Sequence, residues 1–245
     1  MDIIDDLVAE DDRLEAILET YTEAQWLTES LCPGWTMADV MLHLAQTDES
    51  VMLSAGAAAD PTAPFWRSSA TTVDGVMEEQ VQRERAAPGI VFARWKTARR
   101  GAVDALRAAD PNVKLRWAAA PLRPATLATT RIAEHWAHAL DVTEPLGVAL
   151  PDTDRLRHVA WLGHSTLPYA FGLTGLHPQP VRCELTGPSG ETWTFGPEDA
   201  ESRITGPAGD FCRIGAQRLT HADSALVATG PHAAAALGVL RNYAA

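Results

Sequence analysis

The sequence predicts a two-domain α+β protein, with a helical bundle over residues 1–175 and a smaller α+β domain over 176–245. Three observations predict it. Apolar residues recur at helical spacing through the first two thirds of the chain; Gly and Pro cluster between Gly172 and Pro180; and from about Pro180 the period shifts toward two. At 245 residues the chain is long enough for two cores of ordinary size.

Each element has a local reason. Ile3, Ile4, Leu7, Val8, Leu14, Ile17 and Leu18 repeat at helical spacing over residues 2–19, with the acids assigned to the opposite, water-facing side. A loop follows at Cys32-Pro33-Gly34-Trp35, and Thr36-Met37-Ala38-Asp39 reads as a capping box opening a helix that runs to about Ala58. Residues 72–86 form a polar helical connection. Pro88 and Pro124 each suit a first helical position, opening helices that run to Ala109 and to about Leu146, the latter stopped by Gly147. One more helical segment covers about 152–170 and completes the bundle. Val181 to Thr186 and Thr192 to Phe195 flank Gly187-Pro188-Ser189-Gly190 as a hairpin. A strand at 201–205, a helix at 208–219, a strand at 224–228 and a helix opened by Pro231 follow.

Composition removes several function classes. A 46% apolar and 21% charged chain with no run of the roughly 18 apolar residues that cross a bilayer predicts no membrane span. A formal net charge of -12 opposes nucleic-acid binding. The acidic start MDIIDDLVAEDD lacks the basic and apolar regions of a secretory signal, which predicts a cytoplasmic protein. Cys32, Cys183 and Cys212, odd in number and far apart, form neither a CxxC knuckle nor a disulfide framework, and Cys32 reads as a packed or idle thiol.

The chemistry concentrates in RIAEHWAHALD, Arg131 to Asp141. On a helix, Arg131, Glu134, His138 and Asp141 fall within an arc of about 80°, while His135 lies at its edge. Glu134 and His138 are one turn apart, so a carboxylate and an imidazole can converge on one cation. The plainer alternative is a solvated face on which Arg131 pairs with Glu134 and His138 with Asp141. A third ligand would decide, and His43, at the edge of the apolar stripe in MADVMLHLA, is the candidate. Arg131, one turn before Glu134 on the same face, is a candidate for binding a substrate carboxylate. His158 and His164 have no spacing partner, and His177, His221 and His232 sit in loops or at element ends.

The stretch CPGWTMADVMLHLA (Cys32 to Ala45), followed by E-x-x-x-H-x-x-D (Glu134 to Asp141), resembles the DinB-like superfamily, and within it the mycothiol-dependent maleylpyruvate isomerase family. The resemblance spans nearly the whole chain and is weakest after Pro180. It implies a four-helix metal-binding bundle followed by a C-terminal α+β, sterol-carrier-like domain. It also implies a divalent metal held by His43, Glu134 and His138, with zinc expected first and nickel, iron or manganese as alternatives. Asp141 would then orient a ligating imidazole, and Arg218, in GAQRL, would match an arginine that helps form the active site.

The implied activity is that of a metal-dependent isomerase or transferase that uses a small thiol, mycothiol or another, on a small electrophilic substrate, with or without a carboxylate. Lowering the pKa of such a thiol produces the nucleophilic thiolate; addition to an electron-poor double bond, rotation and departure give cis-trans isomerisation. Two other readings stay open at this point: a metal-dependent hydrolase or lyase without thiol, and a small-molecule-binding module with a structural metal. Monomer and homodimer are both compatible with the sequence.

Overall fold

The computed structural model describes residues 2–56, 72–118 and 120–243. It is rich in helix, with one small mixed sheet, and divides into two compact units, the first running to Leu150 and the second from Pro151 to Tyr243.

In the first unit, α1 (Ile3–Leu18), a short α2 (Glu23–Trp26), α3 (Met37–Gly56), α4 (Val73–Glu84), α5 (Pro88–Ala108) and α6 (Pro124–Thr143) follow one another. The expected end of α3 near Ala58 lies outside the described residues. α3 lies against α5 and α6, and α1 against α6 and α5. Their shared core includes Leu14, Leu18, Met37, Met41, Leu44, Trp95 and Ala139, so the apolar stripes read from the sequence do face one another. α3 starts where its capping box predicts: Asp39 N–H donates to Thr36 Oγ1 (3.2 Å) and Thr36 N–H to Asp39 Oδ2 (2.9 Å). Arg85 then grips both Asp39 oxygens, at 2.9 and 3.0 Å. α6 passes into a 3₁₀ turn at Glu144–Leu146 and ends at Gly147, whose φ of 65° is the left-handed conformation that glycine adopts without a Cβ penalty.

The second unit holds α7 (Leu156–Ser165), α8 (Leu167–Leu173), β1 (Val181–Thr186), β2 (Thr192–Phe195), β3 (Ser202–Pro207), α9 (Ala208–Gly215), β4 (Val227–Thr229) and α10 (Ala233–Val239). The sheet order is β2-β1-β3-β4, with β1 antiparallel to β2 and parallel to β3, and β4 antiparallel to β3. Val181, Cys183, Leu185, Ser202 and Ile204 form its buried face. The hairpin falls where the period of two placed it.

Two expectations need correction. The division between units falls at Leu150 and Pro151 and not near 175, so the segment expected to complete the bundle groups with the sheet. The buried stripe Leu156, Val159, Ala160 and Leu162 of α7 belongs to the helix that packs on α9. Periodicity shows that a helix has a buried face without showing which core that face meets. Second, α9 stops at Gly215 and not near 219: Gln217 takes a left-handed φ of 59°, with Gln217 N–H bonded to Ile214 O and Arg218 N–H to Arg213 O, which closes the helix.

Candidate metal centre

The site is built by two helices of the first unit. On α6 the i, i+4 spacing sets Glu134 and His138 on one face, and α3 brings His43 opposite them. Glu134 Oε2 lies 3.6 Å from His43 Nε2 and 3.6 Å from His138 Nε2. The two imidazole rings meet edge to face, with centroids 5.0 Å apart. One ligand atom from each of the three residues falls within 4.8 Å of the other two. Two ligands about 2.1 Å from a tetrahedral ion stand roughly 3.4 Å apart, so these separations suit shared coordination better than direct hydrogen bonding. The mixed nitrogen and oxygen donors are of the kind that zinc and other divalent cations accept.

Asp141 supports this arrangement. Its Oδ2 lies 2.8 Å from His138 Nδ1, which fixes the ring and turns Nε2 toward Glu134. The turn from Cys32 to Trp35 closes the same side. Trp35 N–H donates to Cys32 O (3.0 Å), and Gly34 carries the left-handed φ of 80° that the turn requires. Trp35 then stacks obliquely on the His43 ring, centroids 5.4 Å apart, while its indole N–H donates to Glu78 on α4. Cys32 Sγ sits 3.1 Å from Asp141 Oδ2 and 3.9 Å from His138 Nδ1, so of the two sequence readings, packed or idle, the thiol is the packed one.

Behind the three candidate ligands lies a buried charge network that local patterns did not reveal. His135 is held between Asp11 of α1 (Nδ1 to Oδ1, 2.7 Å) and Asp48 of α3 (Nε2 to Oδ2, 3.1 Å). Arg131 Nε donates to Asp48 Oδ1 at 3.0 Å, and its Nη2 donates to Thr47 Oγ1 at 2.8 Å. Arg131, expected to meet a substrate carboxylate, has a side chain that is 1% exposed and bonded to Asp48 and Thr47. Asp11 likewise does not face water, although it lies among the acids assigned to the wet side of α1.

Electrostatics follow from this geometry. Burial is the largest influence on His43 and lowers it, favouring the neutral imidazole that a metal accepts. Its Nδ1 is buried without a hydrogen-bond partner among the described residues. Burial would raise Glu134, but His138, His43 and Arg131 outweigh it and hold the carboxyl well below its ordinary range. Burial would lower His138, yet Asp141, Cys32 and Glu134 together raise it well above an ordinary histidine; a cation and a proton would compete for the same Nε2. For His135 burial is again outweighed, here by Asp11 and Asp48, and the imidazole is pushed up to about 9.

Arg218 belongs to the second unit. It lies just past the end of α9, and its Nη1 donates to Ala216 O at 2.6 Å. His164 lies in that unit too, 3.0 Å from Val181 O and stacked on Phe195.

Comparison with known proteins gives the family. Residues 7–143 match the family model described as mycothiol maleylpyruvate isomerase N-terminal domain. Two uncharacterized proteins, from two strains of Mycobacterium tuberculosis, are each 36% identical over 242 residues, covering 98% of this chain and 94% of theirs. The crystal structure of the mycothiol-dependent maleylpyruvate isomerase superposes with a TM-score of 0.65 at 16% identity, covering 94% of this chain and 95% of that one. A histidine-to-alanine variant of that enzyme gives 0.63 at 15%. With its matched region running from α1 to the end of α6, the chain belongs to the mycothiol maleylpyruvate isomerase N-terminal domain family.

Proposed function

We propose that the chain is a thiol-dependent enzyme, an isomerase or a thiol transferase, whose site in a DinB-like four-helix bundle (α1, α3, α5 and α6) holds a divalent cation, zinc first among the candidates. The observation that carries this reading is the convergence of His43, Glu134 and His138, from two different helices, within 4.8 Å. The fold shared with the mycothiol-dependent maleylpyruvate isomerase supports it.

When bound, the cation supplies the positive charge that lowers the pKa of a small thiol such as mycothiol, making the thiolate nucleophile available near neutral pH. The residues of the chain prepare the place for it. Asp141 orients the His138 ring. Glu134, kept ionised by its neighbours, contributes the negative charge. The Trp35 ring covers His43 and limits water around it. Arg131, fully engaged with Asp48 and Thr47, holds α6 against α3. Arg218 remains the candidate for binding a substrate carboxylate, on the family resemblance.

The test is cobalt-substituted protein titrated with mycothiol. A thiolate-to-cobalt charge-transfer band that appears with the thiol, and is missing from H43A and H138A, is the expected result. Cobalt uptake without any response to mycothiol would favour a hydrolase or lyase that uses no thiol; no cobalt uptake at all would remove the metal from the proposal. R218A should lose turnover of an unsaturated carboxylic acid while keeping its cobalt.

A further inference from the structure

A single carboxylate oxygen, Asp141 Oδ2, receives two side chains. His138 Nδ1 approaches at 2.8 Å and Cys32 Sγ at 3.1 Å, and Asp141 itself is fully buried. The backbone of the same residue also holds the turn, since Leu31 N–H donates to Asp141 O at 3.2 Å. Cys32 N–H is in turn fixed by Ser30 Oγ at 3.1 Å, so the thiol is presented from an anchored backbone. Sulfur and imidazole both approach this oxygen at hydrogen-bond length, and the contact between them, Sγ to Nδ1 at 3.9 Å, is the longest of the three.

From this arrangement we infer that Cys32 is a positioning residue for the metal centre: its thiol donates to Asp141 Oδ2 and steadies the carboxylate against which the His138 ring is aligned. The inference rests on the metal reading of His43, Glu134 and His138. Each donor on a buried carboxylate narrows its swing about the Cβ–Cγ bond, and the Cys32 thiol adds its own constraint to that of the His138 ring. The carboxylate's direction then sets the tilt of the imidazole and the aim of Nε2 toward Glu134 and His43.

Cys32, His138 Nδ1 and Asp141 could also be read as a second metal site, because their ligand atoms too lie within 4.8 Å. The separations argue otherwise. At 2.8 and 3.1 Å the contacts to Oδ2 are hydrogen-bond lengths, shorter than the roughly 3.4 Å between two ligands of one tetrahedral ion.

The experiment titrates the full chain with cobalt(II) in the absence of any added thiol, comparing wild type, C32A, C32S, D141N and the C32A/D141N double variant. Wild type is expected to take up cobalt without a thiolate-to-metal band. C32A should bind about tenfold or more weakly, the scale on which groups that orient a ligating histidine act, with an altered ligand-field spectrum and an unchanged helical circular dichroism. C32S, which keeps a donor, should restore much of the affinity. Adding C32A to D141N should cost little more, because the thiol acts through that carboxylate.

A thiolate band in thiol-free cobalt protein would make Cys32 a ligand and overturn the inference. Wild-type affinity and spectrum in C32A, or additive losses in the double variant, would overturn it while leaving the metal centre standing. A wild-type chain that binds no cobalt would overturn both.

Discussion

His43 on α3 and Glu134 on α6 face one another with Nε2 and Oε2 3.6 Å apart, a separation that a hydrogen bond would shorten and a shared cation would use. His43 also keeps its Nδ1 buried without a partner among the described residues. Deleting the imidazole therefore removes an unsatisfied polar atom while opening a cavity, two effects of opposite sign. H43A is expected to lose zinc on dialysis, yet its zinc-stripped form should unfold in urea within about 1 kcal/mol of the zinc-stripped parent. Zinc retained by H43A at wild-type stoichiometry would remove His43 from the ligand set.

The Arg131–Asp48 pair predicts the reverse: a large loss of stability. Both side chains are 1% exposed, and Asp48 also serves His135. D48A would leave the Arg131 guanidinium and the His135 imidazole together without that carboxylate. Removing one partner of such a buried pair costs about 3–5 kcal/mol. The expected outcome is a marked fall in the urea midpoint of D48A, and a smaller one for R131M, which replaces the cation by an apolar chain and leaves Asp48 still paired to His135. A surface-like loss below about 1 kcal/mol for D48A would show that the network opens to water.

The contrast between these two sites marks what the sequence carries. Glu134 and His138 could be read together because both lie on one helix, where a spacing of four is a geometric statement. His43 sits ninety-one positions from Glu134 along the chain, and its membership rested on the resemblance around PGWT and HLA; its own surroundings suit a packed histidine equally well. Asp11 and Asp48 escaped altogether. An acid in an amphipathic helix defaults to the wet side, and the group that makes burial tolerable, His135, lies 87 residues from Asp48. Cys32 was undervalued for the same reason, since its partner Asp141 is 109 residues away. In the second unit the hairpin was local and legible, whereas the parallel pairing of β1 with β3 and the packing of α7 on α9 are set by tertiary contacts that periodicity does not encode.

Tyr21 carries a pH dependence of known sign. Its hydroxyl donates to Val142 O at 2.7 Å, and burial raises the phenol to about 12. The folded pKa thus exceeds the unfolded value of about 10. The stabilisation is complete below about pH 10 and is lost as pH rises toward 12, because the unfolded chain ionises first. Tyr21 should ionise late in a spectrophotometric titration of the folded protein. Y21F should delete that late phase and flatten the difference in stability between pH 9 and about pH 11. A late phase that persists in Y21F would assign it to Tyr169 or Tyr243.

The three cysteines should separate cleanly by reactivity. Cys183 and Cys212 are fully buried, on β1 and α9, and burial pushes the Cys183 thiol up to about 12 and raises Cys212 as well. Neither is accessible as a thiolate near neutral pH, because the anion would have to form inside an apolar core. Cys32 is only partly buried, at the turn beside His138. Iodoacetamide at about pH 8 is expected to label the folded protein once, at the accessible Cys32, and the urea-unfolded protein three times. In C32A the folded protein should remain unlabelled, and mass spectrometry of the intact chain reads each count directly. Labelling of Cys183 or Cys212 at a rate comparable to Cys32 would mean that the core of the second unit opens far more often than its burial implies, since exchange through such openings follows their population.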